Sequence, residues 1–240
     1  MSLNIGLNPY FLKYEQLMQI VDNIFDKMKN DFQKEVNCDN GCTDCCYALF
    51  DLTLIEALYL NSKFQKLDQD LKYRILVEAD KADRKTYQIK KKLFKSQQQG
   101  TTDEEILKTA AREKVRCPLL DSDKCVLYAH RPLTCRLYGL PLKMGETAVT
   151  CSMSGFEPGV QYPTVDMQRL HFQLANLSQE LALGIGSKYP ELHIMLVPVS
   201  MALLTDYNEE YLGIKTGKQA ENLEDKPENP GRQWVLGNKE

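Results

Sequence analysis

With 240 residues and a formal charge of −3, the chain can bury a core without disulfide staples, and its interspersed acids and bases leave no overall footprint for nucleic acid. The longest apolar run, Ile194 to Leu204, is shorter than the about 20 residues that cross a bilayer, and Pro198 interrupts it, so no membrane span is expected. The first residues lack a basic segment followed by a continuous apolar one, which argues against secretion and for the cytoplasm, where eight cysteines read as metal ligands or redox groups rather than as a disulfide framework.

In chain order, Tyr10, Phe11, Tyr14, Leu17, Met18, Val21, Ile24, Phe25, Met28 and Phe32 recur at three-and-four spacing and predict an amphipathic helix to about Glu35. Asp39-Asn40-Gly41 is turn chemistry, so the following cysteine stretch is expected as an irregular loop. Thr53-Leu-Ile-Glu56 has the form of a capping box and predicts a second helix through Ala57, Leu58, Leu60 and Phe64. A long charged helix is expected from about Asp68 to Gln99, with Leu71, Ile75, Ala79, Ala82, Thr86, Ile89 and Leu93 on its packed face and Lys90-Lys91-Lys92 on a solvated one. Thr102-Asp-Glu-Glu105 offers another capping box for a short helix to about Glu113.

Val115 to Leu120 and Cys125 to Tyr128, separated by Asp121-Ser-Asp-Lys124, predict a small hairpin. Arg131-Pro132 opens a helical turn, with proline suited to its first position and Gly139 to its end. Leu140 to Thr150 reads as a second hairpin leading to Cys151, and Thr164 to about Ile185, with Val165 and five leucines at helical spacing, as a further helix. Ile194 to Leu204 is expected to be a buried helix or extended core segment, and the polar stretch from 207 to 240, with Trp234, a mobile tail. The fold class expected is mainly α: one compact helical domain over 1–206, with small β-hairpins and cysteine-rich loops around a metal site and with 68–113 as a helical insertion.

The chemistry lies in the cysteines. Cys38, Cys42, Cys45 and Cys46 fall within nine residues, and Cys117, Cys125, Cys135 and Cys151 follow after the long helix. Three thiols at Cys38-x3-Cys42-x2-Cys45 let one loop curl around a corner of a metal site, and thiolates select zinc, copper(I) or iron–sulfur clusters over magnesium or calcium. The downstream spacings are not the paired short knuckles of a zinc ribbon, whereas iron–sulfur clusters accept irregular spacing. Side chains of neighbouring residues diverge in extended backbone, so Cys45 and Cys46 are expected to serve different metal atoms or different roles, and Cys46 reads equally as a small buried hydrophobe. The spacing of the first three cysteines is also that of the radical S-adenosylmethionine signature, but helix, loop, helix is not the alternating pattern of that family's barrel. Arg116, Arg131 and Arg136 stand beside the second set, where guanidinium groups would offset the charge of a thiolate centre, hold an anionic substrate, or clamp loops. His130, His171 and His193 are assigned no role.

Arg116-Cys-Pro-Leu-Leu120, Cys125-Val-Leu-Tyr128, Arg131-Pro132 and Cys135-Arg136-Leu-Tyr138-Gly139, taken with the first cluster, resemble the YkgJ-like cysteine-cluster family over roughly Asn37 to Cys151. That family is a zinc- or iron-chelating domain with eight characteristic cysteines, and it is similar to the cysteine-rich part of flagellin lysine N-methylases. The resemblance implies all eight cysteines as metal ligands, without an established reaction. The function expected is a cytoplasmic metal-binding protein whose cysteine-ligated centre, a [4Fe-4S] cluster ahead of zinc, serves redox or maturation chemistry with a protein or small-molecule partner. An S-adenosylmethionine-dependent protein-lysine methyltransferase-like enzyme, though no glycine-rich binding loop is visible, and a zinc-stabilised interaction module are the alternatives.

Overall fold

The structure is a computed structural model and describes residues 6–38, 41–144 and 147–214. Eight helices and seven short strands are present among these residues. Helix α1 (Asn8–Asp31) buries Tyr14, Met18, Val21 and Met28 on one face. It ends at Asp31 rather than near Glu35, because Phe32 turns out of helical geometry and packs against Tyr162. Strand β1 (Asp51–Thr53) runs into α2 (Leu54–Phe64), whose N-terminus carries the expected capping box on Thr53 and Glu56. Almost every residue of α2 is buried, which makes it the central helix of the core.

Helix α3 (Gln69–Gln98) begins where Asp68 accepts from the Asp70 and Leu71 amides. It buries Ile75, Ala79, Ala82, Thr86 and Ile89, as the periodicity predicts. Of the lysine run, Lys90 pairs with Asp51 at 2.7 Å and Lys91 lies over the Tyr87 ring. Helix α4 (Asp103–Arg112) also shows its capping box, on Thr102 and Glu105.

Strands β2 (Leu120–Asp121) and β3 (Lys124–Cys125) form the expected hairpin. Its two central residues, Ser122 and Asp123, both have positive φ (49° and 59°), the backbone of a tight two-residue turn. Helix α5 (Leu133–Leu137) follows, with Pro132 as its extended cap rather than as its first helical residue. Strands β4 (Leu142–Met144) and β5 (Thr147–Val149) make the second hairpin.

Strand β6 (Val165–Asp166) joins β4 in parallel, so Val165 belongs to a strand and not to the helix expected from Thr164. Helix α6 (Met167–Gly184) starts two residues later, where Asp166 Oδ1 accepts from the Arg169 amide at 3.0 Å. The apolar run from Ile194 divides at Pro198 into β7 (Leu196–Pro198), paired with β1, and α7 (Val199–Leu204). Proline removes the amide that would continue the ladder and sets the entry to the helix. Only one side of this run is buried: Val197, Ala202 and Leu203 are inside, while Ile194 and Leu196 are exposed.

The expected boundary at 206 moves outward. Tyr207 and, in α8 (Glu209–Leu212), Leu212 are buried in the same core as α2 and α6, and Ser187 bridges to Ile214. The polar appearance of that stretch reflects the outward face of one helical turn. The rest of the expected tail, Trp234 included, lies outside the described residues, as do Asp39 and Asn40 of the expected turn.

Candidate metal centre

Two backbone hydrogen bonds bring the cysteine segments side by side. The Cys117 amide donates to the Cys46 carbonyl at 2.7 Å, and the Val115 amide donates to the Tyr47 carbonyl at 3.1 Å. Cys45 and Cys46 lie in a single 3-10 turn, Asp44–Tyr47, rather than in extended backbone, so both side chains are buried together with Leu120. The β2–β3 hairpin then folds Cys125 back towards Cys117, with the Val126 amide donating to the Leu119 carbonyl at 2.9 Å. Helix α5 supplies Cys135.

A cavity of about 460 Å³ lies at this junction, and Cys42, Cys45, Cys46, Cys117, Cys125 and Cys135 line it. Cys38 and Cys151 stand apart from its walls. Cys38 abuts Gly139, which has φ +102° and where an added Cβ would stand 3.0 Å from that of Cys38. Cys151 donates to Asp44 Oδ2 at 3.2 Å, and Asp44 also pairs with Lys114. None of the eight cysteines is in a disulfide.

Electrostatics show what the thiols lack. Burial raises Cys38 to about 11 and Cys117 to about 12, and it raises Cys125 and Cys151 as well; neighbouring thiolates add to each rise. Cys45 behaves oppositely: the S–H groups of Cys135 and Cys46 donate to it and hold it well below a free thiol, while the same bonds push those two donors up. One thiolate is thus seeded among protonated neighbours. Further thiolates would repel it, and a metal cation among them is the group that removes that cost. The donor set therefore fits a soft metal. As they stand, no three His, Cys, Asp or Glu side chains among the described residues are gathered closely enough to hold an ion.

The three arginines separate. Arg131 lines the cavity, lies 3.6 Å over the Tyr128 ring, and favours the charged forms of Cys38, Cys45 and Cys125. Arg116 also lines the cavity and donates to the Leu120 carbonyl at 2.7 Å. Arg136 is different: its guanidinium is taken up by both oxygens of Asp22 (2.7 and 2.6 Å) and by the Ala129 and Arg131 carbonyls. It clamps α5 to α1 and does not line the cavity.

Several supporting contacts were not visible in the sequence. Glu56, buried, accepts from the Thr53 amide and hydroxyl and from the Leu133 amide, tying the start of α2 to the start of α5. Tyr59 donates to Glu15 at 2.8 Å and meets His130 Nδ1 at 3.1 Å, which places that histidine against α2. Asp44 had one signal available, its position between Cys42 and Cys45; burial opposes its charge, but the Cys151 and Lys114 contacts hold its carboxyl below the usual range.

Fold and site together define a helical protein with a cavity lined by six thiols. The family model CxxCxxCC, described as "Putative zinc- or iron-chelating domain", matches residues 37–152, just under half of the chain, and the YkgJ-like cysteine-cluster family matches this domain. No curated protein and no solved structure matches the chain. No helix among the described residues is long and apolar enough to cross a membrane.

Proposed function

We propose that the chain is an iron–sulfur protein whose cluster is held in the thiol-lined cavity and serves electron transfer or maturation chemistry in the cytoplasm. The observation that carries this reading is the spread of the thiols. Six of them, from three separate segments, surround one cavity, two more than the four sulfurs that a structural zinc site draws to about 2.3 Å from one ion. A polynuclear cluster, which takes its thiolates from around a larger body, suits that spread better than a single ion does.

Cys45, Cys117, Cys125 and Cys135 would hold the cluster, because all four line the cavity from the 3-10 turn, the segment through the β2–β3 hairpin and α5 that meet there, with Cys42 and Cys46 as adjacent spares. When bound, such a cluster supplies one-electron redox chemistry. The chain supports it in three ways. Arg131 offsets its negative charge and so raises its potential. Leu119, Leu120 and Val115 keep the surroundings dry. The clamps on α5 fix the position of Cys135.

The test is iron, acid-labile sulfide and a visible spectrum on protein purified without oxygen. Near-equal iron and sulfide at about four per chain is the expected result. One or two zinc ions without sulfide, in colourless protein, would overturn the iron–sulfur reading and leave a zinc-stabilised module.

A further inference from the structure

Helix α3 has two faces, and the core uses only one. Ile75, Ala79, Ala82, Thr86 and Ile89 are buried, and Ala82 and Thr86 line the thiol cavity. Two residues back, about 200° around the helix, Tyr73, Val77 and Tyr87 are exposed, and Phe94 continues their line; the four are 72%, 40%, 63% and 58% exposed. Asp80, Arg84 and Lys91, also exposed, fill the gaps between them. The seven positions step by four and three residues without a break from 73 to 94, the spacing of a two-helix seam. Single apolar residues are ordinary on a surface, but here four stand in one line about 30 Å long on a helix otherwise filled with charge.

The order of residues along this line fits a second copy of the same helix. Laid antiparallel about an axis at Ala82, the line places Asp80 opposite the partner's Arg84, Val77 opposite the partner's Tyr87, and Tyr73 opposite the partner's Lys91. Each layer is then a favourable pair: carboxylate with guanidinium, aliphatic with aromatic, and ring with ammonium. Within one chain Arg84 already bonds Asp80 at 2.8 Å, so pairing brings two such bridges together into a network of four charges. A parallel arrangement would set Asp80, Arg84 and Lys91 each against its own copy, which like charge opposes. Charge over the whole helix has the same sense. Residues 69–83 hold four acids and three bases, whereas 84–98 hold six bases and no acid, and only the antiparallel arrangement keeps the two basic halves apart. Shape agrees as well. Tyr73 and Val77 form one side of a shallow groove of about 530 Å³, with Pro118, Leu120 and Asp121 on the other, and this is where the partner's Tyr87 would lie.

We infer that two copies of the chain associate through the outer face of α3, antiparallel and about a twofold axis at Ala82. A seam of this length is at the small end of specific interfaces, below about 1,200 Å², so the dissociation constant is expected on the order of 10 μM. Ala82 and Thr86 line the cavity from the other face of the same helix, so the dimer sets two thiol-lined cavities back to back, each one helix away from the axis. The interface is independent of which metal the thiols hold.

The experiment is sedimentation equilibrium on the full chain purified without oxygen, from about 1 to about 300 μM, with metal content measured on every sample. Wild type is expected to pass from monomer to dimer across that range. Asp80→Lys makes both central layers positive and Arg84→Glu makes both negative, and each is expected to weaken self-association at least about tenfold. Mixing the two variants restores opposite charges in both layers, so the mixture is expected to recover a dimer within about threefold of wild type. Poor folding of either variant could not be repaired by mixing. Tyr87→Glu, at an exposed position that leaves the core untouched, is expected to weaken the dimer about tenfold. Wild type that stays monomeric at the highest concentration would overturn the inference, as would a dimer unchanged in both charge variants, or variants that lose self-association and still fail to pair when mixed. Failure of the iron–sulfur reading shows separately, as zinc without sulfide in samples that still form the dimer.

Discussion

Cys135 sits on a helix locked from two directions, by Glu56 of α2 at its first amide and by the Arg136–Asp22 pair to α1. Cys42, Cys45 and Cys46, on the adjoining wall, sit on a loop and one 3-10 turn whose fixed points are backbone bonds to 115–117. The two walls carry the same thiol chemistry on different supports. Buried charged side chains hold the first wall whether or not metal is bound, because their partners are other parts of the core. The second wall has few such partners, so under the proposed function metal ligation would fix its thiols. On that reading folding and metal binding are divided between the walls, and linkage would make the second wall sensitive to metal supply.

Substituting thiols is the strongest way to break this comparison. Cys135→Ser and Cys117→Ser should abolish the visible absorbance of anaerobically purified protein, while Cys151→Ser, outside the cavity and bonded to Asp44, should retain it; equal loss in all three would erase the distinction between cavity and rim. Next comes the clamp. Arg136→Met removes a guanidinium whose side chain is 6% exposed and leaves Asp22, 39% exposed, without its partner. Urea unfolding should show a loss of about 3 kcal/mol, at the low end for a broken buried pair because Asp22 still reaches water.

Glu56→Gln tests the other clamp and carries a pH signature. An amide presents one acceptor where the carboxylate presents two, so an N–H is left facing an NH2, at a cost of about 2 kcal/mol. Burial raises the Glu56 carboxyl above its ordinary value despite its hydrogen bonds. The folded state therefore holds that proton more tightly than the unfolded chain, and the stability this contributes is present at low pH and lost as pH rises through the folded value. Glutamine cannot titrate, so the gap between wild type and variant should narrow from pH 4 upward in parallel denaturation curves. The smallest effect is at the rim. Gly139→Ala forces a side chain into positive φ and against Cys38, for about 1–2 kcal/mol; melting should register it as a drop of a few degrees with metal content preserved.

The helices from α1 to α4 were legible in the sequence because their signals are local. Apolar spacing selects the buried face of α3, and the Thr53–Glu56 and Thr102–Glu105 pairs mark two starts that the structure reproduces. The break at Val165 was not legible, since a β-branched residue at helical spacing looks alike in either state until β4 stands beside it. Tyr207 and Leu212 were read as tail for the same reason: their burial depends on α2 and α6, far away in sequence.

By itself the sequence determined the thiol chemistry and the helical scaffold, both consequences of residue type and short-range spacing. Only the tertiary structure decided which thiols share a cavity, and that Arg131 faces them while Arg136 serves the core. Those are facts of long-range packing. Whether a guanidinium finds a carboxylate 114 residues away depends on segments that meet only when the chain has folded.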